Sequence, residues 1–175
     1  MEATELLLLG TEVSVAFAGF SGIIATFQLR SGAKLTRGDV VGITIIVQIS
    51  LLSTLFCVWP LVFLISGVDE KLVWAFFSSA AGIWGGITNY LVNKTVSRRV
   101  RNSTTRRVFR SLQLLGGALI VCCILNALNL VFHREPGPFL ASLVFGLSLV
   151  GYMFSRLLLR PLWRLIREHE SITSA

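Results

Sequence analysis

Polar residues interrupt this chain so rarely that its pattern resolves into five long apolar runs, 6–29, 40–65, 72–92, 112–132 and 139–159. Each reaches the roughly 20 predominantly apolar residues that an α-helix needs to cross a hydrocarbon layer. Between them the chain is short and rich in turn formers, with Gly32, Gly38, Gly67, Pro136, Gly137 and Pro138 at the breaks, and only 94–110 is long enough to be a real loop. The pattern predicts an all-α, polytopic integral membrane protein. Its five transmembrane helices fill residues 1–160, and a short tail follows at 161–175.

Charge sets the expected orientation. Lys and Arg total 16 against 9 Asp and Glu, and fourteen of the sixteen fall after the first run, after the third, or in the tail, leaving Lys71 and Arg134 alone on the other side. Basic residues concentrate on the cytoplasmic flank of membrane helices, so the N-terminus is expected outside and the C-terminus inside. From the end of the fifth run into the tail, Arg156, Arg160, Arg164 and Arg167 share one helical face, as in a basic amphipathic stretch lying along the membrane surface. Trp74, Tyr90 and Trp163 fall at expected interfaces, whereas Trp84 falls in mid-run and is expected to pack inside. Glu2 and Glu5 stand where a secretory signal would carry Lys or Arg, so no cleavable signal is expected.

Composition narrows the classes. The chain is 54% hydrophobic and 14% charged, well below the roughly one quarter charged of soluble domains. The net charge of +7 sits between apolar runs rather than on one basic patch, which argues against nucleic acid. Cys57, Cys122 and Cys123 lie within apolar runs without a CxxC or a neighbouring ligand set, so no metal or other cofactor is expected. There is no HExxH, no G-x-S-x-G, no phosphate-binding loop and no paired intramembrane aspartate, and the expectation is a protein that is not an enzyme.

Two features carry the candidate chemistry. Small residues recur at four-residue spacing, Gly10, Ser14, Ala18 and Gly22 in the first run and Ser78, Gly82 and Gly86 in the third. Such faces let helix backbones approach closely in lipid, where little hydrophobic drive brings helices together, and they predict tight packing and self-association into a homo-oligomer. The second feature is polarity inside the runs. Glu12 lies within the first run, Gln48 within the second, and Asn126, Asn129 and His133 share a face of the fourth with Cys122, while Asn89 and Gln113 could tie helices together. Intramembrane ionisable groups are costly and point to function by default.

Two readings follow. In the first, the protein is channel-like, passing ions or protons along Glu12, Asn126, Asn129, His133 and Gln48. In the alternative it is a non-transporting scaffold or accessory subunit in the bilayer, gripping a membrane or cytoplasmic protein through its small-residue faces. Arg98, Arg99, Arg101, Arg106, Arg107, Arg110, Arg160 and Arg164 would then dock that partner or lipid headgroups. Either reading places the chain in a bacterial cytoplasmic (inner) membrane.

Overall fold

A computed structural model of the 175-residue chain describes residues 3–30, 37–96 and 103–173. Five helices follow in order, α1 (Ala3–Arg30), α2 (Arg37–Ile65), α3 (Glu70–Val96), α4 (Ser103–Ala127) and α5 (Gly137–Thr173), with no strand among the described residues. Four of them contain stretches long and apolar enough to cross a membrane: Ala3–Phe27, Gly42–Ile65, Arg110–Ala127 and Gly137–Arg156. The segment that does not meet this measure is α3, whose serines, glycines and Asn89 lower its hydropathy and, as shown below, are the residues that seat it against α4.

Local chemistry explains the helix ends. At the end of α2 the Val68 N–H donates to the Phe63 carbonyl at 3.2 Å and the Gly67 N–H to Leu64 at 3.1 Å, with Gly67 at φ 78. This is the left-handed closure that glycine adopts without steric cost. Asp69 then starts α3, its carbonyl accepting from both Leu72 and Val73. Within α2, Pro60 is buried and the helix continues through it. In α5, Pro138 sits in the first turn, where the N–H it lacks would have had no helical partner.

Two boundaries differ from the sequence pattern. The fourth apolar run extends to 132, yet α4 stops at Ala127, because Asn129 turns left-handed at φ 59. The Leu130 N–H then closes on the Leu125 carbonyl at 3.0 Å and the Asn129 N–H on Asn126 at 3.0 Å. Asn is the residue besides Gly that tolerates this position, so a capping signal was hidden inside an apolar run. The fifth apolar run ends at 159, whereas α5 continues unbroken for 37 residues, past Pro161 to Thr173.

The chain divides into two compact units, Met1–Leu8 with Phe56–Phe145, and Leu9–Leu55 with Gly146–Ala175. The core of the first is aromatic. Phe139, 1% exposed, has its ring 6.1 Å from Trp74, 6.1 Å from Phe77 and 6.2 Å from Phe56. Trp74 is buried, and its indole N–H donates to Glu70 Oε1 at 2.9 Å, one turn earlier. Trp84, expected inside, is 51% exposed.

In the second unit the buried positions Gly10, Ser14 and Ser21 on α1 and Ile46, Ser50 and Ser53 on α2 share their faces with the partly buried Phe17 and Ile24 on α1 and Ile43 on α2. Ile46 and Val150 form its centre, with Phe17, Ile24, Met153 and Phe154 packed on them. The alternating spacing of three and four is that of helices meshing side by side. Ser14 and Ser21 fit this apolar seam because their hydroxyls donate to the Gly10 and Phe17 carbonyls of their own helix, at 2.6 and 2.7 Å.

Candidate functional site

Asn126 is the most informative of the predicted polar residues. It stands in the last turn of α4 and is 0% exposed. Its Nδ2 donates to Ser78 Oγ on α3 at 2.9 Å and to the Glu135 carbonyl at 2.8 Å, while its Oδ1 accepts from the Glu135 N–H at 3.1 Å. One amide thus pins α3, the end of α4 and the connection to α5. Its donors are spent on protein partners, which leaves little of the side chain to serve a moving ion.

The connection it pins is conformationally unusual. Asn129, His133 and Arg134 have φ of 59, 49 and 62, and bulky residues enter that region only when surrounding structure holds them there. The Glu135 N–H supplies part of the hold, donating to Phe132 at 3.0 Å as well as to Asn126. Asn129 and His133 are exposed and act as turn residues of this segment. Arg134 keeps its Nε buried without a hydrogen-bond partner.

The small-residue faces resolve into a different set from the one spaced by fours. On α3 a Cβ built at Gly82 would lie 3.1 Å from Ile124 Cγ1 and 3.6 Å from Cys123 Cβ, and one at Gly85 would lie 3.0 Å from Ile120 Cγ1. Beside Gly86 there is open space. The seam is therefore Ser78, Gly82, Gly85 and Asn89, closed at one end by Asn126 and at the other by the Asn89 Nδ2 bond to the Gln113 carbonyl at 3.3 Å. Sequence reasoning missed Gly85, although the step from Gly82 to Gly85 and Asn89 was the available signal. On α4, a Cβ at Gly116 would lie 3.2 Å from the Phe145 ring, so that glycine also marks a close approach.

On α1, Gly10 and Ser14 are buried, Ala18 is half-buried and Gly22 is exposed with open space beside it. The cause is geometric. A four-residue step overshoots a helical turn by about 40°, so a stripe spaced by fours drifts about 120° between Gly10 and Gly22 and leaves the buried face.

The remaining candidates are dispersed. Glu12 is exposed, and no hydrogen bond or ion pair joins its side chain to a described residue. Gln48 is exposed on α2. Arg107 and Arg110 are exposed near the start of α4, the side chains of Arg106, Arg160 and Arg164 lie outside the described set, and Arg98, Arg99 and Arg101 fall outside the described residues altogether. Among the described residues no three His, Cys, Asp or Glu side chains gather as a metal would require. Cys123 is packed inside the first unit, its Sγ donating to the Pro138 carbonyl at 3.4 Å. No family model, curated protein or solved structure matches the chain.

Proposed function

We propose that this protein is a non-transporting scaffold or accessory subunit of a membrane assembly. The observation that carries the reading is the fate of the polar residues. Asn126 spends its amide on Ser78 and Glu135, Asn129 and His133 shape a turn, and Glu12 and Gln48 are exposed on their helices. A conduction path needs such groups to line a shared cavity. Here each has a separate structural role or an outward position, which is the arrangement of a protein that holds itself together and presents helix faces to something else.

In this reading all five helices span the bilayer, α3 being carried by its seam with α4. The N-terminus is outside and the basic flanks lie at the cytoplasmic face of a bacterial inner membrane, with Arg107 and Arg110 at headgroup level. Self-association remains part of the proposal, through small residues away from the α1 face, such as Gly86 on α3 with open space beside it. The test is flux. Purified protein reconstituted in liposomes should leak protons, sodium and potassium no faster than empty vesicles between pH 5 and 8. A flux that Glu12→Gln abolishes would replace this reading with the channel-like one.

A further inference from the structure

The outward face of α1 holds a carboxylate with nothing to answer it. Glu12, Ala16, Gly19, Ile23 and Thr26 fall within a sector of about 80° on the helix, and all five are exposed. The helix seats itself in its own unit through the opposite side, Gly10, Ser14, Phe17, Ser21 and Ile24. Below Glu12 the face continues as a shallow, open groove along this one helix, lined by Gly19, Gly22, Ile23, Thr26 and Phe27. A Cβ added at Gly19 or Gly22 meets no other atom within 4 Å. There is room for another helix to lie close.

Depth makes the carboxylate decisive. Glu12 belongs to the apolar stretch Ala3–Phe27 and stands three residues, about 4.5 Å along the axis, from its middle. It is therefore too deep to reach headgroups easily, and a carboxylate left to hydrocarbon is strongly disfavoured unless a donor covers it. Within its own unit the only other charged side chain described is Arg156, at the far end of the stretch Gly137–Arg156.

Charge complementarity identifies the kind of occupant. A second copy of this chain offers no cation at that depth, because no Lys, Arg or His lies inside any of the four apolar stretches except Arg110 and Arg156 at their ends, and α3 carries Lys71 and Lys94 only near its ends. Its exposed Gln48 sits about 13 Å away in depth when α1 and α2 cross one bilayer in opposite directions. We propose that the α1 face docks a transmembrane helix of a different protein, one that carries a lysine or arginine near the middle of its span. Its backbone lies against Gly19 and Gly22, and its cation pairs with Glu12. This rests on the scaffold reading and names the chemistry of its partner.

The probe is a designed single-span helix of leucine and alanine with one lysine three residues from its centre, compared with the same helix carrying leucine there. Each is labelled and co-reconstituted with the labelled full chain in phosphatidylcholine vesicles, and association is read by energy transfer. The lysine helix should bind at least tenfold more tightly than the leucine helix. Glu12→Leu should remove that preference, and Glu12→Lys should transfer it to a helix carrying glutamate. Gly19→Leu, which keeps the carboxylate but fills the groove, should weaken binding of the lysine helix and guards against a Glu12 variant that does not fold. Equal binding of the two helices overturns the inference. So does efficient self-cross-linking of Ala16→Cys that the lysine helix does not suppress, since a second copy would then occupy the face. Ion flux measured in the same vesicles separates the two failures: silent vesicles without helix binding retire this inference alone, whereas conducting vesicles retire the scaffold reading.

Discussion

Replacing Asn126 with leucine should destabilise the fold rather than alter any transport. The substitution keeps a branched side chain of similar reach but deletes three hydrogen bonds of 2.9, 2.8 and 3.1 Å. Their loss is uneven. The Glu135 N–H retains the Phe132 carbonyl and Glu135 is exposed, so its carbonyl can turn to water; Ser78 is 0% exposed and loses the donor that its hydroxyl oxygen accepts. Bonds between membrane helices average about 0.6 kcal/mol, which puts three of them near 2 kcal/mol. Stranding a buried acceptor adds about 1–3 kcal/mol, so the expected cost is roughly 3–5 kcal/mol. Ser78→Ala should cost only about 0.5–1.5 kcal/mol, because Asn126 Nδ2 still has the Glu135 carbonyl. The double variant should fall short of the sum by about 1 kcal/mol, since the two side chains share one bond. Reversible unfolding from mild detergent by sodium dodecyl sulfate, followed by circular dichroism, measures all three. If Asn126→Leu unfolds within about 0.5 kcal/mol of the parent, or if the two substitutions add, Asn126 is not the pin described here.

Other expectations follow from the same geometry. Gly82→Leu and Gly85→Leu should each weaken the α3–α4 pairing by about 1–3 kcal/mol through overpacking against Ile124 and Ile120. Gly86→Ala should be neutral or stabilising by up to about 1 kcal/mol in the same unfolding assay, because its site is open and helix propensity improves. At the left-handed end of α4, Asn129→Gly should be tolerated while Asn129→Val costs about 1–2 kcal/mol, read from the detergent unfolding midpoint. Glu70→Gln keeps an acceptor for the buried indole of Trp74, whereas Glu70→Ala leaves that N–H unpaired; only the second should shift the emission spectrum of a protein in which Trp74 is the sole remaining tryptophan.

Sequence pattern alone identified a helical chain with helices long and apolar enough to cross a membrane, because hydrocarbon demands that backbone groups bond within each segment and that some 20 apolar residues follow one another. Those are properties of composition and length, so all five helices were legible as apolar runs, although α3 falls short of the hydropathy that the other four reach. The sequence could not choose among faces. A spacing of four fits Gly10, Ser14, Ala18 and Gly22 equally well, yet only the mesh with α2 and α5 decides that Phe17 and Ser21 continue the buried side and Gly22 leaves it. Likewise Gly82 pairs with Gly85 rather than Gly86 because α4 brings Ile120 and Ile124 to that side. Asn126 and Asn129 look alike in the chain. Only the tertiary structure makes one a buried pin to Ser78 and the other an exposed turn, since a polar group's role depends on which donors and acceptors the fold brings within about 3 Å of it.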